Sequence, residues 1–457
     1  MEVMELMSDQ WQVNLDGQVY TTDLATLRQW MTQGRVPPQA YVRRGEQDWV
    51  PAAQIPELRD VPPHKTPAAP KFQNLQQTLG RGRMKTIMTG LSGNEMFCLH
   101  QKGFTPGSLI IGNSVYSLGF LGNLGSSVQG LIGGEVTQVT NLIHEGRWQS
   151  YQRMVREAQA YGGVGITSVT SELRHFHGNI EFLSIASTIH RMTAAAGQLE
   201  FTMSGDGQDL YCLLDAGYQP LRFVFGNVAY SIGLGGGLMG GLRSLRRGEI
   251  REFSNVLNAT RHLALDRITQ EARQAGANAV LGIQTTVKPF QGIHEMMMLG
   301  TAAFHPDLPS HFKKQPITSD LTCQEMWNLA NLGYIPLRLV LGTAVYSLGF
   351  VGGIVSALKS IARGEIQELT SLIYEAREHA IGLIAAEAEQ LGADDVMGIK
   401  THVNDLNGLL EFLAIGTAVK RHPAAKTHNP ALPPQAVMHD KDTWINERSA
   451  LHLWPKA

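Results

Sequence analysis

The sequence predicts an α+β protein: one small N-terminal domain, then three tandem copies of a β–β–α–β–β unit with one long helix on an antiparallel sheet. Three observations point there. An eight-residue segment, Gly112-Asn113-Ser114-Val115-Tyr116-Ser117-Leu118-Gly119, returns as Gly226-Asn227-Val228-Ala229-Tyr230-Ser231-Ile232-Gly233 and as Gly342-Thr343-Ala344-Val345-Tyr346-Ser347-Leu348-Gly349. Each copy carries a long stretch with helical apolar spacing, Ile250, Phe253, Leu257, Ala264 and Ile268 in the second and Ile366, Leu369, Ile373, Ala380 and Ile384 in the third. Apolar runs bounded by glycine flank each helix and read as strands.

The 457 residues suggest about three domains at ~150 residues each. The 38 basic and 40 acidic residues leave a net charge of −2, which argues against a broad electrostatic grip on nucleic acid. Three cysteines exclude a disulfide scaffold and a four-thiolate metal centre. The opening MEVMELMSDQ has neither a basic leader nor a long apolar run, so a cytoplasmic protein with reduced thiols is expected.

Residues 8–58 form the small domain. Trp11, Val13 and Leu15 alternate as a half-buried strand does, Asp16-Gly17 turns the chain, and Val19-Tyr20 resumes it. Asp23 is placed to cap a helix through Leu24, Leu27, Trp30 and Met31, which Gly34 ends. A short strand at Tyr41-Val42 and the closing Trp49-Val50-Pro51-Ala52 with Ile55-Pro56 complete it. The unit resembles the bacterial (GYF-2 type) variant of the GYF domain, with Thr21-Thr22 where that family has Gly-Pro. The resemblance implies a groove for a protein or proline-rich peptide built from Trp11, Tyr20, Trp30 and Trp49. Aromatic-lined grooves of this kind dock polyproline II ligands. A Pro-rich linker spans 59–83. Its Pro62-Pro63, or Pro433-Pro434 near the other end, is a candidate internal ligand.

The repeats span 84–191, 199–304 and 318–421. Their helices are expected to start near Glu135, Glu249 and Glu365, where a carboxylate suits a helix N-terminus, and to stop at Gly162, Gly276 and Gly392. Glu271-Ala272, Gly276-Ala277-Asn278-Ala279-Val280, Gly282 and Gly300-Thr301-Ala302 look like the YbjQ family, whose name carries heavy-metal binding. The third copy agrees at Glu387-Ala388, Gly392-Ala393-Asp394-Asp395-Val396, Gly398 and Gly416-Thr417-Ala418; the first is diverged. The resemblance implies a dodecin-like fold and ring oligomers, typically pentamers, and no established catalysis; no cofactor is expected. Either five chains stack three rings, one per repeat, or the copies pack within one chain.

No His or Cys position recurs in all three copies: His144 aligns with Asn258 and Tyr374, and Cys98 and Cys212 with Asn328. His175-x-His177 is the one candidate metal pair, two imidazoles on one strand face without an evident third ligand. The charges that do recur are Glu135, Glu249 and Glu365; Arg147, Arg261 and Arg377; Glu157, Glu271 and Glu387; and Glu181, Glu295 and Glu411. They read as helix caps and ion pairs between neighbouring subunits, with a proton-transfer site as the rival. No nucleophile–base pair recurs beside them.

Each copy also has a glycine-rich, uncharged run: 32 residues from Gly103 to Gly134, and 20 each in Phe223–Leu242 and Leu339–Leu358. Packed loops at an interface are one reading; an apolar rim touching a membrane surface or partner is another. Residues 422–457 are expected to be a flexible tail. The sequence thus points to a non-enzymatic, oligomeric scaffold or adaptor, the small domain recruiting a partner. The rivals are a membrane-associated or pore-like assembly and a metal-binding protein.

Overall fold

A computed structural model describes residues 10–15, 18–32, 36, 40–45, 47–59, 86–117, 134–176, 179–193, 198–231, 248–290, 293–347, 367–405 and 409–438. The glycine-rich loops, the linker and Glu365 lie outside the described residues, as do Asp16-Gly17, Gly34 and His177. The chain divides into two units, 1–86 and 87–457.

In the first unit, β1 (Trp11–Leu15), β2 (Gln18–Thr22), β3 (Tyr41–Arg44) and β4 (Val50–Pro51) form a sheet in the order β2-β1-β3-β4. Helix α1 (Leu24–Thr32) begins at Asp23, whose carboxylate accepts from the Thr26 N–H at 2.8 Å. The alternation of β1 places Trp11 and Val13 in a core with Leu27, Met31, Val42 and Leu58. A short helix, α2 (Pro56–Arg59), closes the unit, and Arg28 ties to it by donating to the Glu57 carbonyl.

The second unit is three copies of one design. The first copy runs α3 (Gly93–Gln101), β5 (Phe104–Ser117), β6 (Gly134–Glu135), α4 (Thr137–Ala160), β7 (Gly165–Phe176) and β8 (Asn179–Arg191), followed by β9 (Phe201–Thr202). The second runs α5 (Gly207–Asp215), β10 (Gln219–Ser231), β11 (Gly248–Glu249), α6 (Arg251–Gln274), β12 (Ala279–Phe290) and β13 (Ile293–Phe304), followed by β14 (Ile317–Thr318). The third runs α7 (Cys323–Asn331), β15 (Tyr334–Ser347), α8 (Gln367–Gln390), β16 (Asp395–Asp405) and β17 (Leu409–Arg421).

The α+β architecture stands, with a different start to each copy. What reads as two strands is one long strand, bulged at Pro106/Leu109, Pro220/Arg222 and Pro336/Arg338. Proline has no N–H for the ladder, and a bulge absorbs that loss. A short helix precedes it, begun by a reciprocal capping box in each copy: Ser92 with Glu95, Asp206 with Asp209, Thr322 with Glu325. Glu135 and Glu249 are not helix caps. They lie in two-residue strands that leave their own copy and extend the next one's sheet, Glu135 opposite Tyr230 and Glu249 opposite Tyr346. Sheet order is β14-β12-β13-β10-β6 around the second copy and β11-β15-β17-β16 in the third.

The recurring glycine of the long strand has a steric cause. A Cβ on Gly112, Gly226 or Gly342 would lie 2.0, 2.3 or 2.5 Å from a carbonyl oxygen of the long helix, so helix and strand touch backbone to backbone. The helix stripe read from the second copy is buried along its length.

The copies pack side by side within the chain, the second of the two arrangements. Val169 of β7 shares a core with Phe225, Met297 and Leu299 of the second copy; Ile283 of β12 does the same with Leu341, Leu413 and Ile415 of the third. The short helices converge too, α5 lying between α3 and α7. Residues 422–438 are not a free tail. They cross this convergence, end in α9 (Pro434–Val437), and bury Ala436 in the shared core.

Candidate functional site

The recurring charges come together at the junctions between copies. Arg147 of α4 is nearly fully buried and faces Glu295 of β13 through a bidentate pair, Nη2 to Oε2 at 2.9 Å and Nε to Oε1 at 3.2 Å. Its Nη1 donates to the Ser171 carbonyl and hydroxyl at 3.1 and 3.0 Å. One copy later the arrangement repeats. Arg261 of α6 meets Glu411 of β17, Nη2 to Oε1 at 2.6 Å, both side chains fully buried. Tyr230 Oη accepts from the same Nη2 at 2.7 Å, and Asn404 Nδ2 donates to Glu411 Oε2 at 2.8 Å. The planar guanidinium suits this two-pronged role. Each arginine thus belongs to one copy and its glutamate to the next. The expected pairs between subunits are pairs between repeats of one chain.

The other recurring carboxylates have separate tasks. Glu157, Glu271 and Glu387 accept from the backbone N–H of Ile111, Phe225 and Leu341, pinning each long helix to its own bulged strand. Glu271 also faces Arg222 at 3.9 Å and His144 at 3.8 Å. Burial pushes the Glu271 carboxyl up, against the Phe225 N–H and Arg222. Burial pushes His144 down, so that imidazole is held neutral. His262 goes the other way, raised by Glu387 at 3.5 Å. Glu135 reaches Arg267 at 2.8 Å, and Glu249 reaches His379 at 3.5 Å, each across a junction.

Of these groups, His144, Arg267 and Glu271 line a small cleft between the first two copies, together with Thr140 and Asn227. The sequence positions equivalent to His144, Asn227 and Arg267 in the following junction are Asn258, Thr343 and Leu383, so the cleft's polar set is not repeated. Glu181 accepts from Asn113 Nδ2 at 3.2 Å, and Arg377 stands exposed on α8.

Sequence reasoning missed the residue on which the copies converge. Asp215, at the end of α5, is fully buried. It accepts from Lys102 of the first copy at 2.8 Å, from Trp327 Nε1 of the third at 2.7 Å, and from Asn429 of the final segment at 2.5 Å. Burial alone raises this carboxyl, but the bonds from Lys102, Trp327 and Asn429 outweigh it and hold it below the usual carboxylate range. The equivalent positions are Gln101 and Asn331, so comparison of the repeats gives no signal; the capping boxes were the available clue to the helices that meet there.

Of the metal candidates, His175 is exposed on β7 and His177 lies outside the described residues. Among the described residues no group of three His, Cys, Asp or Glu is placed to hold a metal. Cys98, Cys212 and Cys323, one on each short helix, are free and buried; burial pushes the Cys98 thiol up to about 12 and raises the other two as well. Such thiols are neither nucleophiles nor ready metal ligands. In the small domain, Trp11 is enclosed in the core, which removes it from any surface groove. Trp30 and Tyr20 are half-buried, and Trp49 lies under the Arg43 guanidinium at 4.8 Å. No described helix is long and apolar enough to cross a membrane.

Known proteins bear on both units. Residues 18–58 match the GYF domain 2 profile. Residues 106–193, 217–305 and 334–422 each match the YbjQ profile, described as "Putative heavy-metal-binding". The chain is 33% identical over 232 residues to an encapsulin nanocompartment protein of Mycobacterium tuberculosis, covering 48% of this chain and 86% of the relative. It is 46% identical over 85 residues to a UPF0145 protein of Pseudothermotoga lettingae (18% and 80%) and 38% identical over 92 residues to one of Thermoplasma volcanium (20% and 75%). With three matched copies spanning more than half of its length, this chain belongs to the YbjQ family.

Proposed function

We propose that this chain is a non-enzymatic assembly scaffold. Its three YbjQ repeats form the structural body, and its GYF-type domain recruits a protein partner through a proline-rich segment. One observation carries the reading. The ionisable groups common to the repeats, the usual raw material of a catalytic site, are engaged in packing: Arg147 with Glu295 and Arg261 with Glu411 lock neighbouring copies, and Glu157, Glu271 and Glu387 bind backbone N–H groups. The relative named as an encapsulin nanocompartment protein supports a role in assemblies. On the recruiting domain, Trp49 beneath Arg43 and the exposed Tyr41 and Val19 offer an amphipathic surface of the kind that docks polyproline II peptides.

Two measurements on the full chain test this. Native mass spectrometry across concentration is expected to give multiples of 50.1 kDa. A proline-rich decapeptide titrated against tryptophan fluorescence is expected to saturate with the wild type and lose affinity at least tenfold with Trp49→Ala at unchanged native mass. A single species of 50.1 kDa at every concentration removes the assembly role. A peptide response insensitive to Trp49→Ala removes the recruiting surface.

A further inference from the structure

The junction between copies is built twice, and a chain of three copies has one unused face of each kind. Every copy has a leading face, the outer side of its long strand and last strand. Every copy also has a trailing face, formed by its long helix and the strand that follows. The first copy's trailing face covers the second's leading face, and the second's covers the third's. The first copy's leading face and the third copy's trailing face therefore have no such mate among the described residues of the three copies.

Burial records this position by position. Phe225 and Ala229 on the second leading face are 1% and 0% exposed. The equivalent residues of the first copy, Ile111 and Val115, are 41% and 52% exposed. On the trailing side, Val169 and Ile283 are enclosed, whereas Ile399 at the same place is 45% exposed. Charge follows the same pattern. Arg147 and Arg261 are buried against the next copy's glutamate, while Arg377 is exposed with no partner among the described residues. Glu181, the leading-face counterpart of Glu295 and Glu411, accepts from the Asn113 amide and meets no cation among the described residues. The two open faces thus carry the two halves of a junction whose geometry already exists in the chain, apolar patches and ion pair alike.

We infer that the trailing face of the third copy docks on the leading face of the first copy of a second chain, with Arg377 forming a buried pair with Glu181 of that second chain. This rests on the assembly reading above and specifies its interface. The occupant is a second copy of this chain because the internal junctions are its template: same face, same apolar positions, same arginine and glutamate. Such a contact is head-to-tail, so it propagates from chain to chain and closes a ring or grows a filament according to the rotation per copy. Exposed apolar residues flanking an unpaired charge are what such an interface leaves on an isolated chain.

Charge reversal in the full-length protein tests this by native mass. Arg377→Glu and Glu181→Arg are each expected to reduce the assembly to 50.1 kDa, because every junction then faces like charges. Mixing the two single variants is expected to restore the assembly as a strict alternation, since each variant then meets a complementary face at both ends. The chain carrying both reversals is expected to assemble with itself. Val115→Arg, at an exposed site, is expected to break the contact at unchanged melting temperature. If the wild type assembles and all three single variants assemble equally well, this interface is wrong while the assembly role survives. If the wild type stays at 50.1 kDa, the assembly role falls with it. Single variants that dissociate at wild-type melting temperature yet do not recombine overturn the Arg377–Glu181 pairing.

Discussion

Arg261 and Glu411 are 150 positions apart in the chain and meet at 2.6 Å, both fully buried, where the second copy presses on the third. Two charges are removed from water here, and their cost is offset in part because each finds a second partner: Tyr230 for the guanidinium, Asn404 for the carboxylate. Removing one partner leaves the other charge stranded, typically at about 3–5 kcal/mol. Arg261→Met is therefore expected to lower the unfolding free energy by about 3–5 kcal/mol. The double variant Arg261→Met, Glu411→Gln should recover part of that loss. Denaturant unfolding of the four proteins in a double-mutant cycle measures the coupling. Additive losses would mean the two side chains do not interact.

The contact of strand and helix at Gly226 predicts a different kind of sensitivity. An added methyl group would sit 2.3 Å from the Ala264 carbonyl oxygen, a backbone atom unable to swing aside. Gly226→Ala should destabilise by at least the ~1–3 kcal/mol typical of overpacking. Gly382→Ala, on the open side of α8 where nothing lies within 4 Å, should be neutral or stabilising. Thermal melts of the two variants give the comparison, and equal melting temperatures would refute the steric account.

Asp215 predicts a pH dependence. Its folded carboxyl is held below the unfolded value, so its contribution is complete above the unfolded value of about 3.9 and is lost as pH falls through the folded one. Stability of the second unit should decline on acidification below about pH 4, and Asp215→Asn should show a shallower decline in that window. Denaturant midpoints from pH 2 to 6 provide the test; parallel curves would mean that Asp215 titrates alike in both states.

The segment 422–438 should matter to stability and to thiol protection. Truncation after Arg421 removes Asn429 from Asp215 and Ala436 from the core above the three buried cysteines. The shortened chain is expected to melt several degrees lower and to react faster with a thiol reagent. Unchanged reactivity after this deletion would show that the segment does not cover the core.

The α+β class, the number of copies and the position of each long helix were legible because they rest on local signals: helical spacing, glycine stops and a segment written three times. So was the small domain, whose alternating Trp11 and Val13 face a core as alternation requires. The recurring arginines and glutamates could also be singled out from the sequence. What each one touches could not, because Arg147 and Glu295 lie 148 positions apart and spacing within one copy says nothing about which neighbour supplies the partner. The tertiary structure alone decided that the copies pack in a row, that Glu135 and Glu249 serve the next copy's sheet, and that Asp215 gathers three copies and the final segment. Those outcomes depend on burying apolar faces between copies, a long-range choice that no window of the sequence contains.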